Sequence, residues 1–144
     1  MQSKTRAQFP VENSHEHLLK KMQQELDLIR TLEGSVVVLL SSNLLGQGDN
    51  KAGNILMEEF SHILSHMTEI ISTLILINSA VFLATEGSEV APFFRVIQEQ
   101  GVEILCSDTS LSFYGLQERL QVGRKASMYT ISSRLLQARW VISL

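Results

Sequence analysis

Three short apolar runs alternate with segments of helical periodicity, and this alternation limits the chain to an α/β fold. The runs are Val36–Leu40, Ser72–Ile77 and Val102–Leu105. Each is continuous rather than alternating in polarity, as expected for strands buried on both faces of a parallel sheet. Each also exits into small polar residues. Helices between such strands imply a three-layer α/β/α sandwich with a mostly parallel sheet of four to five strands.

The connecting segments fit that plan. Leu18, Leu19, Met22, Leu26, Ile29 and Leu32 recur at helical spacing, so an amphipathic helix precedes the first strand. Asn13 with Glu16 reads as its capping box and Gly34 as its end. Residues 1–12 carry no periodic pattern and include Pro10, which predicts a loose arm. The chain thus divides into an N-terminal arm and helix, 1–34, and an α/β domain, 35–144.

Within the domain, Asp49 or Asn50 can cap a helix over Lys51–Met67. Its expected buried face is Leu56, Phe60, Ile63, Leu64 and Met67. Ser88 can cap a second helix over Glu89–Gln100, with Pro92 tolerated in its first turn. A short helix is expected over Phe113–Leu120, with a break at Gly123. Another covers Ser127–Gln137, with Met128, Ile131, Leu135 and Leu136 inward, and Trp140–Leu144 forms a closing strand.

The strand exits are the places to look for a site, because ligands of α/β sheets bind just beyond the carboxyl ends of the strands. The first exit carries Ser42, Gly46, Gly48 and Asp49. The second carries Asn78 and Ser79. The third carries Cys106, Ser107, Asp108, Thr109 and Ser110. If the strands are neighbours, these residues converge on a small polar pocket suited to an anion. Cys106 is the only cysteine in the chain. It is either a nucleophile or sulfur carrier with a depressed pKa, or an inert thiol packed as a small hydrophobe.

Other patterns exclude chemistry. Gly46-Gln47-Gly48 lacks the third glycine of a dinucleotide fingerprint, since position 51 is Lys51, and no Gly-Lys-Ser/Thr follows for a phosphate loop. His62 and His66 share a helix face but lack the glutamate of H-E-x-x-H, so they read as a solvated face rather than a metal site. No Ser–His–Asp arrangement can be assigned. No metal or cofactor is expected. The net charge of −3 argues against a nucleic-acid partner. The most apolar window, Ile70–Ala84, is too short to span a bilayer, and the N-terminus lacks a signal-peptide h-region. A single cysteine fits a reducing compartment. The expectation is a cytoplasmic protein with no membrane partner, and a homo-oligomer, because the first helix needs something to cover its apolar stripe.

A family resemblance adds to this reading. Gly46-Gln47-Gly48-Asp49, Gly53, Ile55-Leu56-Met57 and Phe60 resemble the DsrE-like domain of the YedF group, the sulfurtransferase-like selenium metabolism proteins. The likeness continues through Asn78-Ser79, Glu86-Gly87-Ser88, Gly101–Leu105, Phe113–Leu116, Val122-Gly123 and Met128-Tyr129, covering about 35–144. It implies a DsrE-type sandwich, often oligomeric, in a sulfur- or selenium-handling context, with a sulfur- or selenium-donor protein as partner. The chain departs from the pattern twice. Residues 1–34 are too short for the TusA-like domain that usually precedes this one. The loop that typically carries two cysteines reads Ser107-Asp108-Thr109-Ser110, both cysteine positions being serine, while Cys106 stands one residue earlier. Serine cannot carry a persulfide. The expected function is therefore a binding or relay protein of this family. The alternative is an active sulfurtransferase using Cys106 as its persulfide-forming thiol.

Overall fold

The computed structural model describes residues 11–31 and 33–144; the side chains of 11–13, 29 and 30 are outside the description. The chain divides into two units, Met1–Leu32 and Glu33–Leu144. In the first, α1 runs Val11–Arg30. It begins before Asn13, which therefore lies inside the helix rather than at its cap. The loose arm expected over 1–12 lies outside the described residues, save that 11 and 12 belong to α1. Leu32 and the side chain of Ile29, both from the apolar stripe, also lie outside the described residues. The remaining members, Leu18, Leu19, Met22 and Leu26, are all exposed.

The second unit is built on five strands: β1 (Val36–Leu40), β2 (Ile71–Leu76), β3 (Glu103–Ser107), β4 (Arg124–Ala126) and β5 (Trp140–Ser143). The sheet order is β4-β3-β2-β1-β5 and every pair is parallel. The helices are α2 (Asn50–Leu64), α3 (Ala91–Glu99), α4 (Asp108–Phe113) and α5 (Met128–Gln137). From β1 to β4 the chain steps one way across the sheet, and from β4 to β5 it returns to the opposite edge. Crossovers of one hand then place α2 and α3 on one face and α5 on the other. In agreement, α2 and α3 pack together. Ile131 and Leu135 of α5 pack with Val37, Ile75, Leu105 and Ala126. The result is the three-layer sandwich expected, with an all-parallel five-stranded sheet.

Several details differ from the sequence reading. The third strand does not end at Leu105. Cys106 pairs with Leu76 on one side and Lys125 on the other, and Ser107 pairs with Ala126, so the ladder holds both residues in β3. Residues 108–110 then belong to α4, which ends at Phe113, with Gly115 at φ +67 two residues beyond. No helix forms over Phe113–Leu120 beyond the end of α4; turns lead to β4 instead. That strand escaped notice because Arg124-Lys125-Ala126 has no apolar pattern.

The buried face of α2 is also rotated. Gly53, Met57, Ser61 and Leu64 face inward, while Leu56 and Ile63 are exposed and Phe60 and Met67 are half-buried. The small residues bring the helix close to its surroundings: a Cβ on Gly53 would lie 3.1 Å from Leu44 Cβ. On α5, Ile131 is buried and Leu135 half-buried as expected, but Met128 and Leu136 are exposed.

Candidate functional site

The exits of β1, β2 and β3 are joined by hydrogen bonds between residues far apart in sequence. At the third exit, Ser107 is the last residue of β3 and the N-cap of α4, its Oγ accepting from Ser110 N–H at 3.1 Å. Ser110 Oγ donates to the same oxygen at 3.0 Å. It also accepts from Asn78 N–H at 2.8 Å, tying the third exit to the second. Ser79 Oγ accepts from Asn43 N–H at 3.3 Å, tying the second exit to the first. Ser42 Oγ shapes the same turn by accepting from Leu44 N–H. Small hydroxyl residues at the exits thus act as couplers between strands.

Asn78 is held in the left-handed region, φ +53, the one described non-glycine residue with a positive φ. Asparagine tolerates this backbone better than most residues. Its side chain is fixed as well, Oδ1 accepting from Tyr114 Oη–H at 2.9 Å. Tyr114 stands edge-on to both Phe82 and Phe113, with ring centroids 4.8 and 5.0 Å away. Phe113 is 81% exposed, an unusual position for so apolar a ring. Asn78, Thr109, Ser110, Phe113 and Tyr114 line a cavity of about 260 Å³. None of these lining residues is cationic, and Asp108 next to them is acidic. The arrangement suits a small uncharged polar or aromatic group better than the anion expected.

A second cavity, of about 380 Å³, lies beyond the first and second exits. Asn43, Asn54, Glu58, Thr85, Glu86 and Glu89 are among its lining residues. It is polar and carboxylate-rich, and so also repels anions. Sequence reasoning passed over it, since Glu86–Ser88 looked like a plain connection. Tyr114, Phe113 and Asn43 were likewise missed as site residues. The one available signal was two adjacent aromatics following small polar residues.

Other expected site residues stand apart. Asp49 caps α2, its carboxylate accepting from Ala52 N–H at 3.0 Å. Gly46 and Gly48 sit in the exposed loop before it, with φ +78 and +140, and line neither cavity. Cys106 is fully buried. Its Sγ faces the carbonyl of Val122 at 4.0 Å, and it lines neither cavity. Burial pushes its thiol up to about 12. Burial thus favours the neutral thiol, whereas reactive cysteines are held at or below neutrality.

No family model matches the chain, and no curated protein matches it. Among solved structures, the crystal structure of the ychN protein from E. coli superposes with a TM-score of 0.59 at 14% identity, covering 76% of this chain and 98% of that one. The fold is DsrE-like. The likeness carries the architecture alone. The chemistry rests on the chain's own residues. No described helix is long and apolar enough to cross a membrane.

Proposed function

We propose that this chain is a DsrE-like protein of sulfur or selenium metabolism that binds a ligand or partner at the exits of β2 and β3 without transferring sulfur itself. The observation that carries this reading is the position of Cys106, buried in the sheet and absent from both cavities. The two serines where the family resemblance puts cysteines support it. Ser107 and Ser110 form the hub that joins two strand exits. A thiol, larger and a weaker hydrogen-bonding group, would serve that hub poorly. The YedF likeness supports the sulfur or selenium setting, a donor protein as partner, and a cytoplasmic location. Exposed apolar residues on α1 and on β5 support a homo-oligomer.

The test is intact-protein mass spectrometry after incubation with a cysteine desulfurase and cysteine, with Cys106→Ser as control. The expected result is no sulfur adduct, together with slow alkylation of the native thiol that becomes rapid on unfolding. An adduct that disappears in Cys106→Ser would replace this reading with the alternative, a sulfur carrier using Cys106. The high pKa has a consequence for stability as well. A group whose pKa is raised on folding contributes stability that is complete below its ordinary value of 9.0 and fades as pH rises towards 12.

A further inference from the structure

We propose that His62 and His66 form a two-histidine binding site for a tetrahedral divalent metal ion of the zinc class, at the end of α2 remote from its Asp49 cap. The two residues stand one helical turn apart, and their Nε2 atoms lie 3.4 Å from each other. That separation is longer than the 2.7–3.2 Å or so of an ordinary N–H hydrogen bond. It does match the edge of a tetrahedral zinc site. Two nitrogens each about 2.0–2.1 Å from the metal and separated by the tetrahedral angle are about 3.3–3.4 Å apart. A right-angled pair at the same bond length would need about 3.0 Å, which disfavours an octahedral ion.

Three further features prepare the pair. The His62 ring is stacked on Phe93 of α3, with centroids 4.9 Å apart and planes 22° from parallel, so a neighbouring helix holds its orientation. His62 stands in the last turn of α2, where the helix dipole favours a cation, and His66 lies two residues beyond the helix end, in the turn closed by its N–H to the Ile63 carbonyl. Glu58 and Glu59 line a cavity of about 280 Å³ together with His62 and Phe93. Their carboxylates raise the local concentration of cations. Coordination through both Nε2 atoms puts the ring protons on the Nδ1 atoms. Among the described residues no group of three or more His, Cys, Asp or Glu is placed to hold a metal. The ion therefore keeps at least two open positions for water. The site is independent of the reading proposed above, since it uses neither Cys106 nor the strand exits.

The test is calorimetric titration of the full chain with zinc chloride, repeated for His62→Gln, His66→Gln and a His15→Gln/His17→Gln control. We expect one zinc ion per chain and an upward shift of the thermal midpoint that a chelator reverses. Each single variant at 62 or 66 should weaken binding about tenfold or more, because even outer-shell partners of metal-bound histidines are worth that much. The control should bind as the parent does. Both altered histidines are exposed, and circular dichroism checks that the variants fold. Phe93→Leu should weaken binding by a smaller factor while leaving one site per chain. The proposal fails if the parent takes up no zinc at tens of micromolar. It fails equally if the 62 and 66 variants bind as the parent does, or if binding is lost in the control.

Discussion

The two edges of the sheet are built on opposite plans. At one, β4 is only three residues long, and Arg124 and Lys125 point outward. Glu103 of β3 clamps this edge. Its carboxylate takes a bidentate pair from Arg134 of α5, at 2.7 and 3.2 Å, and a third bond from Arg124 at 3.0 Å. At the other edge, β5 reads Trp140-Val141-Ile142-Ser143, and every one of these residues is exposed. A short, charged strand resists pairing with another chain, whereas an exposed apolar one invites it. One edge is finished within the chain and the other is left open, where the proposed homo-oligomer can use it.

A charge on the open edge has the largest expected effect. Ile142→Lys should convert the oligomer to a monomer by light scattering, while Lys125→Thr on the closed edge should leave the mass unchanged. A parent chain that is already monomeric would end the assignment of β5 as an interface. Next comes the closed edge itself. Gly123, just before β4, has φ +78, and an added Cβ would fall 2.8 Å from Ile104 Cγ2 and 2.9 Å from its carbonyl oxygen. Gly123→Ala should therefore destabilise the fold by about 3 kcal/mol or more, read from denaturant midpoints. A loss of a few tenths would show that the β3–β4 junction is slack.

The smallest effect belongs to the clamp. Hydrogen bonding from Arg134, with further help from Arg124, holds the Glu103 carboxyl below its ordinary value of 4.5. A group lowered in this way contributes stability that is present above 4.5 and lost as pH falls through the folded value. Solvent reaches all three side chains, so the contribution is modest. Glu103→Gln should lower stability slightly at pH 7 and flatten the acid limb of the stability profile. An unchanged acid limb would mean that the clamp does not tie β4 to the sheet.

Much of the scaffold was legible in the sequence because its signals are local. The Val36–Leu40 run is β1 to the residue. Asp49 caps the helix it precedes, accepting from Ala52 N–H. Convergence of the three exits followed from the rule for α/β sheets, and the bonds Asn43–Ser79 and Asn78–Ser110 show it. Less was legible where a residue's surroundings come from elsewhere in the chain. Leu56, Met128 and Leu136 share helical spacing with core residues, yet they face outward because the sheet reaches only part of each helix.

Continuous apolar runs separated by amphipathic segments have few other ways to bury their apolar surface, and they fix the class of fold. The sequence also holds a single thiol, at Cys106, and serines at Ser107 and Ser110. What those residues do depends on contacts made across the fold. Pairing of β3 with β2 on one side and β4 on the other extends the strand through Cys106 and turns its thiol into the core. The next residue, Ser107, alternates to the other face and caps α4. A one-residue step along a strand reverses the direction of a side chain, and which strands flank that step is settled by contacts from distant parts of the chain.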